Sequence, residues 1–244
     1  MITRLLMIAI APGIALGAAT YLNDRYDREP WKLLIRTFIL GALSVIPVIV
    51  IERFLLRFNI FGGLFGIAYT AFVVAGFTEE YFKRAVVIRG GAFNSRYFNE
   101  KLDGIVYCVF SALGFATVEN IMYVVFRYTG NYYVGIMRGI LSVPAHVLFA
   151  VTMGYYLSLA KYAKDKDEKQ RYYSRSLLIP IVLHGLFNFI LMAQIPILMT
   201  LFIPYVIFLW YMNITKLNEY TKDSRDFFRR NKAIDEHLKD EGEQ

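Results

Sequence analysis

Apolar residues along this chain fall into seven long blocks, and polar residues gather between them. The blocks run from about Leu5 to Leu22, Trp31 to Ile51, Ile60 to Ile88, Gly104 to Phe126, Tyr133 to Ala160, Ser176 to Ala193 and Pro196 to Ile214. A helix crossing the hydrocarbon core of a bilayer needs about 20 predominantly apolar residues, so each block predicts one span. The expected fold class is all-α: a polytopic membrane protein of about seven transmembrane helices around a buried polar cavity. Residues 1–215 read as one membrane-embedded domain and residues 216–244 as a charged cytoplasmic tail, an amphipathic or partly disordered helix.

Breaks in the pattern refine these elements. Pro12 and Gly13 interrupt the first block, and more basic residues follow it (Arg25, Arg28, Lys32) than precede it (Arg4). Both features favour a retained first span over a cleaved signal peptide. The polar hinge 23–30 ends at Pro30, which biases Glu29 away from helix and marks a boundary. Pro47 predicts a kink in the second span. The third block is too long for one upright span. Gly62, Gly63, Gly66 and Gly76 predict an irregular or re-entrant start, with the true helix nearer Ala68–Ile88. The stretch 161–175 reads as a charged loop.

Composition supports the membrane reading. The chain has 244 residues, 57% of them hydrophobic and only 19% charged. Soluble domains average about 45–50% and about 25%. The formal charge of +7 sits in short loops, and no basic helix or recognition motif accompanies it, so nucleic acid is not an expected partner. Basic residues favour the cytoplasmic side of a membrane. The loops after the odd-numbered spans are rich in Lys and Arg, with six in 161–175, whereas the alternate loops hold two or fewer. This predicts an external N-terminus and a cytoplasmic C-terminus, in a bacterium at the plasma membrane. The single Cys108 lies in an apolar block and reads as a packing residue.

Several blocks contain ionisable residues, which cost about 2.5–3.5 kcal/mol each at the centre of a span and so need partners or a function. Glu79 and Glu80 are followed by Lys83 and Arg84. Helical spacing stacks Glu79 over Lys83 and Glu80 over Arg84, with the two cations near enough to the membrane surface to snorkel outwards. Glu119 and Asn120 lie deep in the fourth span, where the two intramembrane histidines are the expected basic partners. Ser142, Pro144 and His146 mark a bent region of the fifth span. His184 and Asn188 share one face of the sixth, and Gly185 permits close approach of another helix. His237, in the tail, reads as a solvated surface residue. Convergence of the buried acids and imidazoles predicts one hydrolytic site, in which a glutamate of raised basicity activates a water.

The combination Glu-Glu-x-x-x-Arg (Glu79, Glu80, Arg84), Phe-x-x-x-Glu (Phe115, Glu119), Ser-x-Pro-x-His (Ser142, Pro144, His146) and His-x-x-x-Asn (His184, Asn188) resembles the PrsW family. These are bacterial membrane proteases that make the first cut in an anti-sigma factor. The hinge Tyr26-Asp-Arg-Glu-Pro30 also fits, and the resemblance spans about residues 12–215. It is similar in turn to the CAAX prenyl endopeptidases, which carry His where this chain has Glu119. The resemblance implies a membrane-embedded peptidase whose partners are the lipid bilayer and a single-span membrane protein substrate, such as an anti-sigma factor. Glu79 would be the base, supported by Glu80 and Arg84. His184 and Asn188 would stabilise the oxyanion or position the water, and His146 and Glu119 would complete the cluster, with Asn120 and Ser142 supporting. No metal is required in the favoured reading. Zinc is the alternative, with Glu79, Glu119, His146 and His184 as its ligands. A proton or divalent-metal transporter built on the same Glu/His cluster is the competing class.

Overall fold

The computed structural model describes residues 2–242, except the side chains of 232, 233 and 235–242; His237 lies outside the described side chains. The described chain is helical, with no strand. Helix α1 spans Ile2–Asn23 and α2 spans Trp31–Leu56. Helix α3 covers residues 63–89, α4 Lys101–Arg127, α5 Tyr132–Lys161, α6 Lys166–Ala193 and α7 Pro196–Gly242. All of these except α3 are long and apolar enough to cross a membrane among the described residues. Helix α3 carries the four charges of Glu79, Glu80, Lys83 and Arg84, which lower its hydropathy. Large apolar side chains such as Ile14, Ile39, Ile46, Val50, Ile207 and Tyr211 are exposed on the outer faces of the bundle. Such surface is expected of a lipid-facing wall rather than of a soluble protein. The protein is a multi-pass membrane protein.

Helix α4 is the axis of the bundle, buried over most of its length and packed by α1, α2, α3 and α5. Small residues let backbones approach it closely, as is common between helices in membranes. A Cβ on Gly41 of α2 would collide with the Ser111 carbonyl, and one on Gly114 with the Phe38 carbonyl. Between α4 and α5, Gly104 and Gly154 face each other in the same way. Cys108 is buried in this core.

Two elements differ from the pattern reading for identifiable reasons. Helix α6 begins at Lys166, within the stretch expected to be a loop, because Asp165 caps it by accepting from the Glu168 N–H at 2.8 Å. Hydropathy registers only the apolar part of a helix that projects beyond lipid. In α2 the break lies at Ser44, just before Pro47. Pro47 has no N–H to offer the carbonyl four residues earlier, so the helix loosens on its N-terminal side. Past residue 215, α7 continues without interruption through the charged tail to Gly242.

Three helices contain wide, π-type turns: Tyr69–Phe77 in α3, Met122–Arg127 in α4 and Arg138–Ser142 in α5. Such turns are rare and cluster at functional sites. Here each one lies within a turn or two of an ionisable side chain: Glu79 follows the first, Glu119 precedes the second and His146 follows the third. The expected irregular start of α3 is therefore helical from Gly63, but wound unusually wide.

Candidate active site

The site is assembled around Lys83, which is almost wholly buried. Its ammonium lies 3.0 Å from Glu79 Oε2, 2.8 Å from Glu80 Oε1 and 2.9 Å from His146 Nδ1. The ring of Phe115 on α4 covers it at 4.4 Å from the centroid, a cation–π contact that is strengthened by exclusion of water. Lys83 thus points inward and does not snorkel. A single lysine serves both glutamates because i+3 and i+4 flank the same helical face. The expectation that Arg84 would pair with Glu80 is corrected: Arg84 faces α6, donating to Ser176 Oγ and to the Tyr173 carbonyl, both at 2.8 Å, and stacking on the Tyr173 ring.

An ammonium has no lone pair, so His146 Nδ1 accepts and the ring proton is on Nε2. That nitrogen donates to Glu119 Oε2 at 3.1 Å. Glu119 is also held by Arg138 of α5, whose guanidinium reaches Glu119 Oε2 at 2.9 Å and Asn120 Oδ1 at 3.0 Å. Glu119's basic partners are therefore His146 and Arg138, not the two histidines. Asn120 uses its amide to bind the Ala9 carbonyl at 2.9 Å. Its role is to tie α1 to α4 and to orient Arg138.

On the other side of Lys83, His184 Nδ1 is 2.9 Å from Glu80 Oε1. Close packing of α3 on α6 brings these two together. A Cβ on Gly76 would press on the Ile181 carbonyl at 3.1 Å, and one on Gly185 would collide with the Phe72 ring. The His184 ring stacks on Phe149 with centroids 4.9 Å apart and meets His146 edge-on at 5.4 Å. Asn188, a turn further along α6, and Ser142, a turn before His146, are half-buried. Neither side chain makes a hydrogen bond among the described residues.

Two residues of this neighbourhood escaped sequence reasoning. Arg138 was hidden inside an apolar block, although an arginine within a span is itself a sign of a buried partner. Glu52, just past the end of the second apolar block, lies on α2 with Thr78, Glu79, Lys83 and Glu119 as its polar neighbours.

One donor atom each from Glu79, Glu80, His146 and His184 lies within 4.8 Å of the others. Four helical side chains drawn from α3, α5 and α6 thus converge on one small volume inside the bundle. The model of the family described as "PrsW family intramembrane metalloprotease" matches residues 29–214 of the chain. A protein of Clostridioides difficile (strain 630) named Protease PrsW is 45% identical over 208 residues, which is 84% of this chain and 87% of that relative. Another of the same name, from Bacillus subtilis (strain 168), is 37% identical over 207 residues, 85% of this chain and 91% of the relative. The chain belongs to the PrsW family. No solved structure matches it. Relatives in the PrsW family are named proteases, and this chain is accordingly an enzyme, a membrane-embedded peptidase.

The family description implies a metal, and the donor set suits one. Two carboxylates and two imidazoles are zinc-type ligands. Glu80 Oε2 is buried and has no hydrogen-bond partner among the described residues. The Glu119–His146 contact resembles the outer-shell carboxylates that orient metal-binding histidines in other proteins. The group differs from the set expected from sequence: Glu80 takes the place of Glu119, which sits behind His146. Lys83 competes for the same atoms, so a metal ion and the ammonium cannot both hold Glu79, Glu80 and His146 Nδ1 in this arrangement.

Proposed function

We propose that this protein is an intramembrane endopeptidase that cuts a single-span membrane protein, such as an anti-sigma factor, with a water activated by Glu79. The observation that carries the reading is the convergence of Glu79, Glu80, His146 and His184 on one volume. Exposure separates the two glutamates. The Glu80 side chain is almost fully sealed, and its Oε1 is engaged by both Lys83 and His184; the Glu79 side chain is more open, and only its Oε2 is engaged. Glu79 is therefore the better base, because its second oxygen is free to take a proton from water.

Glu79 removes that proton as the water oxygen attacks the scissile carbonyl carbon, and the proton then passes to the leaving amine nitrogen as the C–N bond breaks. Negative charge gathers on the carbonyl oxygen in between. Lys83, His184 and Asn188 are the groups available to stabilise it, and preorganised donors in a water-poor site are worth several kcal/mol at this step. Glu119, Arg138 and Asn120 hold His146 in position.

A metal-dependent version uses the same residues, and the four clustered donors and the family description favour its consideration. Glu79, Glu80, His146 and His184 would hold the ion, which when bound lowers the pKa of water and polarises the carbonyl. The orientation that best fits the Lys/Arg distribution has the N-terminus outside and the C-terminus in the cytoplasm of a bacterial cell.

The test is cleavage of a single-span substrate by purified protein in detergent. Glu79→Gln should abolish cleavage in both versions, and cleavage that survives removes Glu79 as the base. Treatment with a chelator, followed by zinc, with metal content measured on the same sample, decides between the two versions.

A further inference from the structure

A second set of acids lies at the opposite end of α4. The end of α1 and its hinge, the loop before α4, the last turn of α5 and the stretch of α7 near residue 223 all meet there. Asn23 binds Thr221 at 2.9 Å, Asn99 binds Asp27 at 2.8 Å and Lys101 pairs with Asp223 at 3.2 Å. Inside this junction Asp24, Glu100 and Asp103 bring one carboxylate oxygen each within 4.8 Å of the others. Asp103 is 16 residues from Glu119 on the same helix, about 24 Å at 1.5 Å per residue. The group is therefore distinct from the peptidase site.

Asp24 and Asp103 are completely buried. Each uses only one oxygen. Asp24 Oδ2 accepts from the Glu29 N–H at 3.1 Å, and Asp103 Oδ2 accepts from the Asn99 and Glu100 N–H groups at 2.8 Å. Asp24 Oδ1 and Asp103 Oδ1 are sealed from solvent and have no partner among the described residues. Glu29, with Tyr107 donating to its carboxylate, adds a fourth acid to the same junction. Arg28 near Asp24 and Lys161 near Asp103 and Glu29 offset part of this charge without ion-pair contact. Lys161 is committed to the Phe93 carbonyl at 2.7 Å. Arg28 lies over the Tyr21 ring, and neither makes an ion pair with the three acids among the described residues.

Unpaired buried carboxylates are expensive, and they are normally protonated, paired or metal-bound. Here the donors are all oxygens, with no imidazole or thiolate, the ligand chemistry of hard cations. Oxygens that share one calcium ion at about 2.4 Å can be no more than about 4.8 Å apart, and the three carboxylate oxygens lie within that limit. A cleft of about 770 Å³ opens beside Glu100, bordered by Asn99, Asp223 and Ser224 and also by Lys101, Arg229 and Arg230. We propose that Asp24, Glu100 and Asp103 form a binding site for a hard divalent cation, Ca²⁺ or Mg²⁺, that clamps the hinge after α1 to the start of α4.

The experiment is thermal unfolding of the full-length protein in detergent, stripped with chelator and then titrated separately with CaCl₂ and MgCl₂. One of the two should raise the Tm saturably, by about 5–10 °C at a concentration about 100 times its Kd. Asp24→Asn and Asp103→Asn should each abolish that rise. Because each also relieves repulsion, at least one should fold at no lower a Tm than the stripped wild type. The rise should persist in Glu79→Gln, which separates this site from the catalytic cluster and from failure of the peptidase reading. No saturable rise with either salt, as expected if shared protons or buried water satisfy these oxygens, overturns the proposal. So does a rise that is unchanged in both Asp variants.

Discussion

Lys83 Nζ on α3 and His146 Nδ1 on α5 lie 2.9 Å apart across 63 residues of sequence. This contact fixes the tautomer of His146 and so links the glutamate pair of α3 to the Glu119–Arg138 pair. It also makes one lysine the counter-ion for two adjacent carboxylates in a place that water hardly reaches.

Replacing Lys83 by Met should therefore be far costlier than loss of a surface charge. Removing one partner of a buried ion pair costs about 3–5 kcal/mol, which in a chain of this size lowers Tm by about 10 °C. Adding Glu80→Gln to Lys83→Met should recover part of the loss, because it removes the charge left behind. Thermal unfolding of the single and double variants in the same detergent checks both statements.

The Arg138–Glu119 pair should show itself as coupling. Arg138→Gln and Glu119→Gln should each destabilise the protein and slow cleavage. The double variant should be less damaged than the sum, by about 1–3 kcal/mol in a stability cycle. Strict additivity would mean that the two groups do not act together.

At Gly185 the fault introduced by a methyl group is steric. Gly185→Ala sets a Cβ against the Phe72 ring and should cost about 1–3 kcal/mol through overpacking. Cleavage should fall as Glu80 and His184 are forced apart. Phe72→Leu in the same chain should restore much of both, measured as Tm and as initial rate.

Arg84 should behave differently from Lys83. Arg84→Lys keeps the charge but loses the fork that reaches Ser176 and the Tyr173 carbonyl. Hydrogen bonds of charged groups contribute about 1.5–3 kcal/mol, so Tm should drop by several degrees. The pH profile of cleavage should not move, because Arg84 touches neither glutamate.

Much of the fold was legible as apolar blocks. The first was expected at Leu5–Leu22 and is a helix at Ile2–Asn23; the fourth was expected at Gly104–Phe126 and is Lys101–Arg127. The miss at Lys166 comes from a capping contact that hydropathy does not register. Within the site, the list of buried acids and imidazoles was readable from their placement in apolar blocks. Their pairing was not. Glu80 has possible cations at both i+3 and i+4, and the choice between Lys83 and Arg84 depends on the rotational phase of α3. The wide turns at Tyr69–Phe77 set that phase, and no periodicity argument built on 3.6 residues per turn foresees them. Glu52 and Arg138 went unnoticed for different reasons: Glu52 sits just past a block edge, where a charge is ordinarily solvated, and Arg138 is a single charge inside a block, yet the bundle turns both inward.

Helix α7 has 47 residues, about 70 Å of rod at 1.5 Å per residue. The hydrocarbon layer is only about 30 Å thick. More than half of this rod therefore stands clear of the acyl chains, and its lipid-embedded part is anchored to α6 by the Tyr205 hydroxyl on the Leu183 carbonyl, next to His184. A pull or twist applied to the far end of the mast arrives, without an intervening hinge, one residue away from the imidazole of His184.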